Sequence, residues 1–98
     1  MTTIAFINPN STEAMTNSCA ASFKSNLPAG FEVLAITNRD APAAIQGPED
    51  GEAAIPGVLD IVARTSADAL VIGCFDDTGL ERSRQLTDKP VIGIGQAA

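Results

Sequence analysis

The stretch Gly73-Cys74-Phe75-Asp76-Asp77-Thr78-Gly79-Leu80 sets a thiol at the end of an apolar run, Ala69 to Ile72, and beside two carboxylates. A thiolate is both a nucleophile and a proton acceptor, and the unpaired backbone N–H groups of a helix start favour that charged form. Thr78, with Glu81 three residues on, has the spacing of a capping box, which predicts a helix beginning close to the sulfur. Asp76 and Asp77 oppose the thiolate unless their charge is taken up by helix N–H groups. The plain alternative for Cys74 is a small side chain buried at a strand end.

A second polar cluster, Asn8-Pro9-Asn10-Ser11-Thr12, follows the apolar run Ile4 to Ile7. Its amides, hydroxyls and backbone N–H groups suit a carboxylate or phosphate, and they equally suit ordinary N-capping, with Asn10 as cap and Glu13 three residues on. Two adjacent aspartates in a chain without histidine are poor geometry for an ion, so no metal is expected. Cys19 has a packing explanation: Met15, Cys19, Ser22 and Phe23 share one helical face, which predicts a buried thiol away from the chemistry.

These residues need elements to hold them. Ile4–Ile7, Val33–Ile36, Ala69–Ile72 and Val91–Ile94 are short apolar runs of strand type. Between them lie a helix from Asn10 to about Asn26, a turn-rich stretch from Arg39 to Gly51, a helix that starts or kinks at Pro56, and a short helix from about Gly79 to Leu86. Strands alternating with helices predict an α/β fold of three layers, α-β-α, around a four-stranded parallel sheet. Right-handed crossovers then bring Asn8 to Thr12, Thr37 to Gln46, Cys74 to Thr78 and Gly95-Gln96 to one sheet edge, the expected ligand site.

The 98 residues are read as one domain, and their formal charge of −6 argues against nucleic acid and anionic membranes as partners. No stretch approaches the length of a membrane span, and no basic region precedes Ile4 as in a signal peptide. Two cysteines in unlike contexts are not a disulfide framework, which points to a reducing compartment, the cytoplasm. Gln96-Ala97-Ala98 are helix formers placed just after a strand, as if another helix were starting, so the chain is expected to be part of a longer one.

Asn8-Pro9-Asn10-Ser11-Thr12 with Met15-Thr16, the Ile45-Gln46-Gly47 loop, Gly73-Cys74-Phe75-Asp76-Asp77 with Gly79-Leu80, and Pro90-Val91-Ile92-Gly93-Ile94-Gly95 together resemble the aspartate/glutamate racemase superfamily, most nearly its hydantoin and allantoin racemase branch. The resemblance implies a cofactor-independent enzyme of two similar flavodoxin-like domains, with one cysteine from each on opposite faces of a small-molecule substrate. It implies that Cys74 is the first of those thiols. By the same carry-over Asn8, Asn10, Ile45, Gln46, Phe75 and Asp76 hold the substrate. Thr78 stands where this branch usually shows proline, and the second domain with its partner cysteine is absent from these 98 residues. The expected function is therefore one thiol's share of a racemase, inactive as an isolated piece and homo-oligomeric in its full-length form.

Two other classes compete. A flavodoxin-like binding module would hold a phosphate at the Asn8 to Thr12 turn, but the chain has no Trp or Tyr to stack on a flavin. A receiver domain would need an acidic pair for Mg²⁺ where the first strand ends in Asn.

Overall fold

The computed structural model describes residues 2–74 and 76–97. In chain order the elements are β1 (Thr2–Asn8), α1 (Glu13–Ser25), β2 (Phe31–Thr37), α2 (Pro48–Arg64), β3 (Ala69–Ile72), α3 (Leu80–Leu86), β4 (Val91–Gly93) and the single turn α4 (Ile94–Ala97). The strands form one parallel sheet in the order β2-β1-β3-β4, the opening of the flavodoxin-like order.

The register fixes two faces. Ala5, Ile7, Leu70, Ile72 and Val91 point toward α2 and α3, where they meet Val58, Val62 and Leu80. Ile4, Phe6 and Val71 point the other way, to Ala20 and Phe23 of α1. The three layers expected from the alternation are present. The two edge strands are the exception to burial on both sides: Leu34 of β2 is 46% exposed and Ile92 of β4 is 47% exposed.

Five local expectations are corrected. α1 starts at Glu13 with Thr12, not Asn10, as its N-cap, because the Asn10 side chain is used within the preceding turn. Its buried residues are Thr16 and Ala20, whereas Met15 and Cys19 are exposed. Small side chains let the helix lie close to the strands, and this turns the Met15–Cys19 stripe away from the core.

α2 begins at Pro48, eight positions before Pro56, and runs through Pro56. Pro48 fits the first helical turn, where its missing N–H is not needed, and Glu49 and Asp50 complement the helix dipole. The lost hydrogen bond at Pro56 is outweighed by burial of Ala54, Val58 and Val62 along one stripe. α3 starts at Leu80 behind Gly79, whose φ of 78° makes it the cap in place of Thr78. β4 ends at Gly93, so Ile94 opens α4 rather than closing the strand.

Candidate functional site

β1 and β3 are neighbours, but the chain leaves β1 toward one edge of the sheet and β3 toward the other. The crevice between their C-terminal ends is the topological switch point at which ligands bind in such sheets. Here it is a cavity of about 240 Å³ lined by Asn8, Pro9, Asn10, Met15, Cys19, Ile45, Gly73, Cys74 and Ile94.

The first wall is a self-contained polar turn. The buried Asn8 amide donates to Asn10 Oδ1 (2.8 Å), Thr16 Oγ1 (3.0 Å) and the Thr12 carbonyl (3.2 Å), while the Asn10 N–H donates back to Asn8 Oδ1 (3.1 Å). Asn10 Oδ1 also accepts the Thr12 N–H at 2.9 Å, and the Asn10 amide lies 3.4 Å from Met15 Sδ. Asn8 thus locks the turn, and Asn10 carries its amide group to the cavity rim.

The second wall is the Cys74 turn. Gly73 donates its N–H to the Ile7 carbonyl at 2.8 Å. It has no room for a side chain, since a Cβ there would lie 2.6 Å from two atoms of the Phe6 ring. Cys74 is half-buried, packs partly on the core and faces the cavity. Its Sγ lies 3.7 Å from the hydroxyl of the buried Thr78. The turn closes through the Asp77 N–H, which donates to the Cys74 carbonyl at 3.0 Å, with Asp77 at φ 51°. Asp77 Oδ1 accepts the Gly95 N–H at 2.9 Å, so this carboxylate is engaged by the start of α4.

The connection after β2 supplies the third side. Ser11 N–H donates to the Pro42 carbonyl (3.0 Å) and the Thr12 hydroxyl to the Ala43 carbonyl (2.7 Å), which draws Ile45 to the cavity. Gln46 is exposed, with its N–H on Asp50 Oδ2 at 3.0 Å, and does not line this cavity. Asp76 is exposed in an adjacent groove of about 470 Å³, shared with Ile45, Glu52, Asp77 and Thr78. Phe75 lies outside the described residues.

The structure therefore brings Cys74, Asn8, Asn10 and Ile45 together and sets Gln46 and Asp76 apart. It also adds Cys19: the thiol expected in the core lines the same cavity as Cys74. Asn38 is a further residue that sequence reasoning passed over. Buried at the end of β2, it donates from its amide to the Pro9 and Ala54 carbonyls, both at 2.9 Å. An amide directly after an apolar strand, facing the Asn8 turn across the sheet, was the available signal.

The sequence profile of the family described as Asp/Glu/Hydantoin racemase matches residues 4–98. The chain belongs to this family. It is 37% identical over 98 residues to the hydantoin racemase of Pseudomonas sp. strain NS671, and 43% identical over 98 residues to that of Rhizobium meliloti. In each case 97% of this chain is covered, but only 39% and 41% of the relative. The chain thus spans about two fifths of the length of the racemases it matches. Among solved structures, the allantoin racemase from Klebsiella pneumoniae superposes with a TM-score of 0.94 at 36% identity, covering 99% of this chain and 41% of that one. The allantoin racemase from Pseudomonas fluorescens, at 24% identity and a TM-score of 0.92, supports the fold. Among the described residues of this family member, no helix is long and apolar enough to cross a membrane.

Proposed function

We propose that this chain is one wall of a cofactor-independent racemase for hydantoin-type or related amino-acid-derived substrates, with Cys74 as one of two acid/base thiols. The observation that carries the proposal is the position of Cys74 Sγ: half-buried at the end of β3, at the switch point, facing the same cavity as Asn10. The hydantoin racemase relatives supply the reaction class.

Racemisation removes the hydrogen on a stereocentre next to a carbonyl and returns a proton from the opposite face. The Cys74 thiolate accepts that proton and becomes a thiol, and the C–H electron pair passes into the carbonyl as an enolate. A protonated group across the plane then donates to the carbon. The enolate oxygen needs hydrogen-bond donors, which the Asn10 amide and the turn after Cys74 supply, with Asn8 holding Asn10 in place. Ile45 forms the apolar side of the pocket, and the family resemblance adds Gln46, Phe75 and Asp76 as substrate-binding residues. The second thiol belongs to a second domain, so the 98 residues alone are inactive and the full-length enzyme works as a cytoplasmic homo-oligomer. A binding module without catalysis would want free donors on the Asn8 to Thr12 turn, yet most of them are engaged, within the turn or by Thr16, Pro42 and Ala43.

The test is loss of optical rotation together with uptake of solvent deuterium at the stereocentre, in the longest natural polypeptide that contains this sequence. Cys74→Ser should slow both by at least about a hundredfold. Unchanged exchange in that variant would refute the role of Cys74, and brisk turnover by the 98 residues alone would refute the need for a second domain.

A further inference from the structure

We infer that Thr78 is a positioning residue for Cys74, its hydroxyl holding the sulfur in a reactive state through a hydrogen bond that can be made in either protonation state. The inference deepens the function proposed above and rests on Cys74 as the reacting thiol. Thr78 is buried, 7% exposed, and Oγ1 lies 3.7 Å from Cys74 Sγ. The duty expected of this side chain, capping α3, is not performed: Gly79 is the N-cap and no side chain caps the helix. The hydroxyl is thus left facing the sulfur, and Cys74 is its hydrogen-bond partner among the described residues.

A hydroxyl both donates and accepts, whereas a backbone N–H only donates. When Cys74 is a thiolate, the Thr78 O–H donates to the sulfur. When Cys74 has taken a proton, the S–H donates to Thr78 Oγ1. The first bond is charge-assisted and the second involves a weak donor, so the hydroxyl holds the charged sulfur more strongly than the thiol. No proton leaves Thr78 in either state. The left-handed turn at Asp77 and Gly79 brings residue 78 back over residue 74, and the Asp77 N–H bond to the Cys74 carbonyl fixes that return.

The experiment reads Cys74 directly. Iodoacetamide alkylates a thiolate, forming the S–C bond and releasing iodide, and peptide mass spectrometry separates the Cys74 product from that of the exposed Cys19. Rates are measured from pH 6 to pH 10 for the native chain, Thr78→Val and Thr78→Ser. In the valine variant Cys74 should react about three- to tenfold more slowly near pH 7, with the deficit closing as pH rises, because losing a charge-assisted hydrogen bond lowers the share of sulfur present as thiolate near neutrality and no longer matters once the sulfur is ionised in every chain. Thr78→Ser should restore the native profile, and Cys19 should keep one profile throughout.

Superimposable Cys74 profiles in the native and valine chains would overturn the inference. So would equal slowing by valine and serine, which would assign the effect to the packing of the threonine side chain and not to the hydroxyl that serine keeps. If circular dichroism shows Thr78→Val to be unfolded, Thr78→Ala against Thr78→Ser decides on the same criterion. These rates do not depend on racemisation. A normal Thr78 effect together with undiminished exchange in Cys74→Ser would remove the role of Cys74 in racemisation and leave only the Thr78–Cys74 interaction standing.

Discussion

Asn38 and Gly57 are in mutual contact at the base of the site: a Cβ on Gly57 would lie 2.0 Å from Asn38 Oδ1. Asn38 is the tie between three segments, since its backbone N–H donates to the Asn8 carbonyl at 3.0 Å and its amide to the Pro9 and Ala54 carbonyls. The absence of a side chain at residue 57 is what admits this amide beneath the first turn. α2 accepts a residue of low helix propensity in its interior for the sake of that tie.

The pair makes a double-mutant cycle with a defined sign. Asn38→Ala leaves two buried carbonyls short of a partner and should lower stability by about 1–3 kcal/mol. Gly57→Ala in the native background should cost a similar amount, about 1–3 kcal/mol, since the amide must move. In the Asn38→Ala background the overlap is gone, and alanine's helix propensity, about 1 kcal/mol over glycine, should make the same change neutral or stabilising. Urea unfolding of the four chains checks this. Additive losses would mean that the two residues are independent.

Gly73 bears on both stability and Cys74. The Phe6 ring that a Cβ would strike is buried and packs on Phe23, ring centroids 5.4 Å apart, so it has little room to give. Gly73→Ala should cost about 1–3 kcal/mol by overpacking. Phe6→Leu in addition should recover part of the loss by withdrawing the ring atoms from the overlap. Thermal unfolding with Gly73→Ala at native stability would contradict the geometry.

Asp77 should show an ordered series. Asparagine keeps both the acceptor for the Gly95 N–H and tolerance of a positive φ, so Asp77→Asn should stay near native stability. Glycine keeps only the backbone freedom, and alanine keeps neither. Asp77→Gly should therefore fall between Asn and Ala, with Asp77→Ala down by about 1–3 kcal/mol. Denaturant midpoints give the order, and an alanine variant as stable as asparagine would rule out the link to α4.

What the sequence by itself determined was the frame. Four short apolar runs separated by helical segments leave little choice but a parallel sheet covered on both sides, and handed crossovers then carry Asn8, Asn38, Cys74 and Gly95 to one edge. That information is local: a run of Val, Leu and Ile between turn residues declares a strand without reference to anything distant, and the position of Cys74 at the end of one such run followed directly.

The tertiary structure decided who faces whom. Met15 and Cys19 share helical spacing with Phe23, and spacing alone does not say which of two adjacent stripes turns inward; contact of Thr16 and Ala20 with the sheet chose, and moved Cys19 to the cavity. Thr78 and Glu81 have the spacing of a capping box, yet the left-handed Gly79 took the cap and freed the hydroxyl for Cys74. Asn38 carried only the mark of an amide directly after an apolar strand, which does not name its partners, because Pro9 and Ala54 are distant in sequence. Hydrogen bonds of buried polar groups are satisfied by whatever the fold brings within about 3 Å, and that neighbourhood exists only once the chain has closed on itself.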